Sequence, residues 1–498
     1  MNDFRSIDIN YIIENKNSLS ASRYSKIFMK NDFKFKLDRF FSENLSAKFL
    51  GHEVGSLNYI KKSPNIVLKT KGLTKEGFLP ILNDECFEYV NPKSFRKYDL
   101  KKGDLILSKD SNIGETVILD RDYPNMMLSG ALYKLPVKSY WKYYVLAFTK
   151  HEIFRNQLDL MVPKGATIRH ANTLFLDCEI PVPKKNTLEV IKLVSAISKL
   201  IVVGETIIKA KYNQIQNIII NELKLNQRLE NTFDYSLPTY NEILTTGRLD
   251  TSRYTEKFKQ FKFKITNYKY GYKNLSQMGF NFSRGQNLQV SAIGKSFYSE
   301  KKVNNFYELI VSSNINEMSL LEKVKYLGNG KSLKTINEGD IIYSCRGAQF
   351  GRVMYFDSKH EKSITNIDNM QISNPAAPEE LKIFIVCFLN LLRTNKHIYN
   401  IAITGSGANS LTKYQIDEII FPQFPQEKLL EIKDIFKKNV VGKNPNNLTD
   451  FIKFEKIKMQ DMGMSDLHER VKYLKKYLNV VLDKIVLDKN IEIDYSKI

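Results

Sequence analysis

The sequence predicts an α+β chain built twice: two similar mixed α/β domains separated by long antiparallel coiled-coil helices, in a pseudo-twofold internal repeat. Three observations predict it. Residues 186–226 carry an apolar heptad line longer than an ordinary globular helix. Residues 467–485 carry a second one. A set of short landmarks also recurs in the same order, at offsets drifting only from 230 to 241 residues. Repeats at a fixed period mark duplicated units.

In the first helix Val194, Ile201, Ile208 and Ile215 recur every seven residues, with Ile197, Ile218 and Leu225 on a neighbouring line. The stretch holds no proline and one glycine, Gly204. About 40 residues at 1.5 Å each span roughly 60 Å. Lys192, Lys199, Lys209 and Lys211 interrupt it, which excludes a membrane span. A seam this long needs a partner, and Leu467, Val471, Leu474, Leu478, Val481 and Ile485 offer one in steps of 4, 3, 4, 3 and 4. Two unrelated amphipathic helices on local cores are the competing reading; the repeat favours a rod.

The repeat runs as follows. Ser22-Arg23-Tyr24 returns as Ser252-Arg253-Tyr254. The run from Lys101 through Gly103-Asp104 to Ser108 returns as Asn337 through Gly339-Asp340 to Ser344. Gly114 and Gly351 follow, each before a strand-like run, Glu115 to Asp120 and Arg352 to Asp357. Trp141 to Phe154 and Glu380 to Asn400 read as helical. A glycine-containing loop comes next, Lys164-Gly165-Ala166-Thr167 or Gly405-Ser406-Gly407-Ala408-Asn409, then an aliphatic-proline exit, Ile180-Pro181-Val182-Pro183 or Ile420 to Pro425. The predicted order is a domain over 1–185, a spacer helix over 186–229, a second domain over 230–425, and a helical region over 426–498 interrupted near 441–465. Ser465 is the expected N-cap of the last helix.

Composition narrows the partners. The 498 residues carry 75 Lys+Arg against 54 Asp+Glu, a net charge of +21. That favours a polyanion, nucleic acid before an acidic membrane; a lysine-rich proteome is the bland alternative. Cys86, Cys178, Cys345 and Cys387 lie far apart and read as free thiols in a reducing cytosol. The first residues, MNDFRSIDINYIIEN, lack a cationic head and an apolar run, so a cytoplasmic location is expected.

Catalytic signatures are absent. The Asn-Pro pairs at Asn91, Asn374 and Asn444 lack the second proline of an amino-methyltransferase loop. Gly328 to Ser332 ends like a phosphate loop but has Lys325 where glycine is needed, and reads as a turn. The six histidines show no HExxH spacing, so no metal is expected.

Base readout needs Arg, Lys, Asn, Gln or similar groups on stiff loops, and phosphate contacts need cations and hydroxyls. The loops after the Gly-Asp strands qualify. In the second repeat they offer Arg346 for guanine and Gln349 for adenine; in the first, Lys109, Ser111 and Asn112. The glycine loops add Lys164, Thr167, Arg169 and His170, and Ser406, Asn409 and Ser410. An intradomain salt bridge is the competing role for Arg346, and ordinary surface turns for the glycine loops. Lys61, Lys62, Lys69 and Lys71 form a basic strand-like patch, more simply read as solvated.

Taken together, Arg248-Leu249-Asp250 before Ser252-Arg253-Tyr254, the two Gly-Asp-Leu/Ile-Ile strands, and the segments GATIRHANTLFLDCEIPVP and GSGANSLTKYQIDEIIFPQFP resemble the specificity (S) subunits of type I restriction–modification systems, the HsdS family. The resemblance covers essentially the whole chain and rests on the ordered duplicate, since no single motif is specific. It departs in the broken C-terminal helix and in Leu19-Ser20-Ala21, which stands where the second repeat has Arg-Leu-Asp. It implies two target-recognition domains, each reading half of a bipartite double-stranded DNA site, and an antiparallel coiled coil between them. It also implies two methyltransferase subunits docked on the chain, restriction/translocase subunits joining them, and no catalysis or cofactor in the chain itself. S-adenosylmethionine and ATP/Mg would belong to the partner subunits. The rivals are a stand-alone DNA-binding scaffold without a methyltransferase, a fused enzyme with an unseen catalytic motif, and a basic membrane-surface protein with a helical stalk.

Overall fold

The structure, a computed structural model, describes residues 27–162, 170–357, 362–405, 408–442 and 445–495, with Ile9 and Ile498. Ser22-Arg23-Tyr24 lies outside them. The first part of the chain runs β1 (Lys34–Lys36), β2 (Ile66–Leu68), β3 (Phe87–Tyr89), β4 (Leu105–Ser108), β5 (Thr116–Ile118), β6 (Met126–Leu128), β7 (Leu132–Leu135), α1 (Lys142–Lys150), α2 (Glu152–Met161), β8 (Glu179–Pro181) and α3 (Thr187–Leu225). Next come α4 (Tyr240–Thr246), α5 (Glu256–Thr266), β9 (Tyr272–Asn274), β10 (Asn281–Arg284), α6 (Val290–Ile293), β11 (Phe297–Ser299), β12 (Tyr307–Ile310), β13 (Lys325–Gly328), β14 (Ile341–Ser344), β15 (Val353–Tyr355), β16 (Ser363–Thr365) and β17 (Asn369–Ser373). The chain ends with α7 (Glu379–Thr394), α8 (His397–Ile401), β18 (Ile403–Gly405), β19 (Ala408–Ser410), α9 (Lys413–Asp417), β20 (Ile420–Pro422), α10 (Gln426–Phe436), α11 (Leu448–Asp461) and α12 (Met464–Val486). It divides into two compact units: unit 1 is 1–208 with 440–461 and 467–498, and unit 2 is 209–439 with 462–466.

Unit 1 holds sheets ordered β5-β4-β7 and β3-β2-β6 and the ladder β1-β8. Leu105–Ser108, the central strand β4, and Met126–Leu128, the edge strand β6, are short, fully buried runs, because both faces are covered. Leu68, Ile106, Val117, Leu128 and Leu132 lie in one core. Ladder β1-β8 joins residues far apart in the chain, pairing Lys34 with Pro181 and Lys36 with Glu179.

Unit 2 repeats this frame. β15-β14-β17 corresponds to β5-β4-β7, with β10 added beside β17. β13-β12-β16 corresponds to β3-β2-β6, with β11 added beside β13. The pairs β2·β6 and β12·β16 are parallel in both. β9-β20 matches β1-β8, pairing Tyr272 with Pro422 and Asn274 with Ile420. The turn before the central strand is also duplicated. Gly103 and Gly339 sit at φ 85° and 87°, where an L side chain is strained. Their N–H groups donate to Leu119 and Phe356 at 2.8 and 2.7 Å. The next residue's carboxylate closes each turn: Asp104 accepts from Lys101 N and Asp340 from Asn337 N, both at 2.8 Å.

Both helical runs read from the sequence are broken. The first is split at His151, whose ψ of 148° is extended. The second is split at Lys396, at φ 64°. Lys61, Lys62, Lys69 and Lys71 do not share a strand, since β2 lies between them and Lys71 sits in a 3-10 turn.

In unit 1, α3 and α12 are antiparallel. Lys184 meets Asp488 at 3.0 Å, and Glu205 meets Lys475 at 2.7 Å. Val194, Ile201 and Ile208 are buried on one side, and Leu467, Val471, Leu474 and Leu478 on the other. Gly204 permits the close crossing: a Cβ there would collide with Val471 Cγ2. Helix α11 fills the interruption of the C-terminal region, burying Phe451, Glu455 and Met459 at i, i+4 spacing. Glu455, fully buried, takes Arg470 of α12 at 2.9 Å. In unit 2 the second half of α3 buries Ile215, Ile219 and Leu223. The expected line through Ile218 and Leu225 therefore does not persist, since Leu225 is 77% exposed. A straight helix turns at 3.6 residues, so a seven-residue line drifts off its face. Ser465 lies inside the first turn of α12, which begins at Met464, and so is not its N-cap.

Candidate nucleic-acid interface

The loops after the central strands carry the candidate residues, and their backbones match. In unit 1, Asp110 bridges His170, and Ala171 N donates to Lys109 O at 2.8 Å. In unit 2, Arg346 bridges Ser410, and Leu411 N donates to Cys345 O at 2.9 Å. Each loop closes by a glycine N–H onto the last strand residue, Gly114 to Ser108 at 2.8 Å and Gly351 to Ser344 at 2.9 Å. The glycine-loop segment is thus stitched to the Gly-Asp strand loop in each unit, bringing together two stretches about sixty residues apart in sequence.

The side chains differ. In unit 1, Lys109 is turned inward onto Asp110 at 2.6 Å, with 17% of its side chain exposed. Ser111 is exposed at φ 58°, and Asn112 donates to Thr70 O and Leu73 O at 3.2 and 3.3 Å. His170 is 59% exposed, with Nδ1 2.7 Å from Asp110 Oδ1. In unit 2, Arg346 is exposed and makes no side-chain hydrogen bond or ion pair among the described residues. Gln349, Asn409 and Ser410 are partly buried, and Asn409 and Ser410 pair with Thr404 and Ile403 in a hairpin. Lys164, Thr167, Arg169 and Ser406 lie outside the described residues.

The residue after each loop glycine is anchored by charge. Glu115 takes Arg155 of α2 at 2.6 Å. Arg352 takes Glu317 at 2.9 Å, and Arg393 of α7 takes the same carboxylate. Burial alone would raise the Glu317 carboxyl, but the two guanidiniums outweigh it and hold it below the usual carboxylate range. These pairs stiffen the loop bases. Asp110 was not singled out from the sequence, although it gathers both Lys109 and His170. Its distance from His170 in the chain leaves no local signal.

The Arg-Leu-Asp box has a visible structural role. Arg248 pairs with Asp250 at 2.6 Å and donates to the carbonyls of Ile401 and Ala402, at 2.6 and 2.8 Å, where α8 ends. Arg253 takes Glu418 at 2.6 Å. Cys86, Cys178, Cys345 and Cys387 are free and buried. No helix among the described residues is long and apolar enough to cross a membrane.

No family model and no curated protein matches the chain. Solved structures do. A type I restriction–modification S subunit from M. genitalium is 12% identical and covers 94% of this chain and 98% of its own, with a TM-score of 0.40. The HsdS subunit from Thermoanaerobacter tengcongensis is 11% identical over 85% of this chain and 91% of its own, at 0.26. A chain from a structure of type I R-M complex assembly and conformational transition is 11% identical over 93% and 99%, at 0.28.

Proposed function

We propose that the chain is the DNA-specificity subunit of a type I restriction–modification complex, with no catalysis of its own. Each unit reads one half of a bipartite, asymmetric duplex site through its stitched loops. The helices dock two methyltransferase subunits, and restriction/translocase subunits join that core in the cytoplasm. S-adenosylmethionine and ATP/Mg serve those partners. The observation that carries this reading is the duplication: one hydrogen-bonded frame, built twice, presents exposed polar loops on a chain of net charge +21. Paired readers suit a ligand with two half-sites, and the positive charge suits phosphates.

The test is to map methylated bases in DNA from a host carrying this chain and its partners. An interrupted motif with two fixed blocks supports the reading. An uninterrupted motif, or methylation indifferent to the chain, contradicts it. In the same assay Arg346→Ala should relax one base position by about 1–3 kcal/mol, while a uniform loss would make Arg346 a phosphate contact.

A further inference from the structure

We propose that the two units present opposite hydrogen-bonding polarity at the same bridge of their loops: unit 2 offers a donor, Arg346 on the strand loop, and unit 1 offers an acceptor, Nε2 of His170 on the facing segment. This rests on the DNA-reading role above and deepens it.

The two bridges are equivalent by backbone. The Asp110↔His170 and Arg346↔Ser410 bridges each stand beside the same cross-strand amide bond. Arg346 therefore corresponds to Asp110, and His170 to the uncharged Ser410. Unit 2 places its cation on the strand loop. Unit 1 places a carboxylate there and the nitrogen ring on the facing segment.

Asp110 fixes that ring. Its residue is 8% exposed, and its two oxygens are both used, Oδ2 by the Lys109 ammonium at 2.6 Å and Oδ1 by His170 Nδ1 at 2.7 Å. A carboxylate only accepts, so the hydrogen of the neutral imidazole lies on Nδ1 and its lone pair on Nε2. With 59% of the side chain exposed, Nε2 is open to a ligand. Among the described residues, Asp110, and Lys109 through it, are the charged groups against the ring.

An acceptor and a donor select different bases. In the major groove an acceptor matches the exocyclic amino group of adenine or cytosine, whereas arginine matches O6 and N7 of guanine. Unit 1 would therefore specify an amino-bearing base where unit 2 specifies guanine. Lys109, held by Asp110, acts as part of the buttress. Asp110 is a positioning residue.

The experiment is selection from randomised duplexes by the full chain with its co-purifying partners. Wild type should enrich two blocks, one containing an adenine or cytosine that depends on residue 170. His170→Ala should lose preference at that position by roughly tenfold and leave the other block intact. His170→Arg should move the preference to guanine. Asp110→Asn, whose amide can also donate, should admit both base classes there. Because Asp110→Asn can also disturb folding, the exposed His170 variants decide. A wild-type motif untouched by His170→Ala, or weakened evenly at every position, overturns this inference alone. A wild-type chain that enriches no sequence overturns the DNA-reading role and this inference with it.

Discussion

The two halves of α3 have the same helical geometry and are buried by different means. The first half, in unit 1, hides Val190, Ile191, Leu193, Val194, Ile197, Leu200 and Ile201, a face much wider than a two-position seam. It is wide because α11 as well as α12 covers it: Val471, Leu467 and Met459 all approach Gly204. The second half, in unit 2, has a thin apolar line and polar anchors. Tyr212 donates to Asn390 of α7 at 2.7 Å, and Glu222 accepts from Tyr268 at 2.7 Å. One half is held by apolar area and the other largely by directed bonds. Apolar burial tolerates small shifts, whereas hydrogen bonds between buried groups fix register.

That contrast can be broken in order of expected effect. Ile208→Asp places an unpaired charge at a 2% exposed site and should cost at least about 4 kcal/mol. Ile218→Asp, one turn past the point where the line drifts outward, should cost under about 1 kcal/mol. Denaturant unfolding of both variants compares them, and equal costs would refute the drift. Glu455→Gln removes the buried negative charge facing Arg470 and should cost about 3 kcal/mol. Protease cleavage within α11 should rise with it if the ion pair is what seats that helix. Tyr268→Phe removes one bond to Glu222, which keeps Asn226 at 2.8 Å, and should cost about 1 kcal/mol.

Unit 2 also carries an acid dependence, which is absent near neutral pH. His397 is buried with its ring stacked on Phe261 at 4.0 Å. Burial first, then Lys257 and Lys264, pull its imidazole down to about 4. The unfolded histidine takes a proton near 6.5. Unit 2 therefore has its full stability above about 6.5 and loses part of it as pH falls toward 4. His397→Phe should flatten that part of the stability–pH profile. In unit 1 the buried His151 faces Asp483 at 3.2 Å, a partner His397 lacks among the charges named above.

What the sequence made legible was local or periodic. The Gly-Asp turns were readable because only glycine takes φ near 85° freely, and their repetition marked the frame. The α12 seam was readable because Leu467, Val471, Leu474 and Leu478 keep strict a/d steps, and all four are buried. The first half of α3 was readable for the same reason. Its second half was readable only at Ile215, which is buried as the line predicts; beyond it Ile218 and Ile219 are adjacent, and only tertiary contact decides which points inward. Ladder β1-β8 was also out of reach, as three-residue strands paired across the whole unit leave no periodic trace. At the candidate interface Arg346 is exposed, whereas Lys109 does not stand free. The sequence shows Lys109 beside Asp110 and cannot show that a distant His170 joins them.

The proposed function gives the duplicated frame two readers with separate half-sites. Selection from randomised duplexes, run in parallel on wild type and Arg346→Ala, tests this most directly. Two fixed blocks separated by an unselected gap are predicted, with Arg346→Ala relaxing one block and sparing the other. A single continuous block, or both blocks relaxed together by that one substitution, would contradict it.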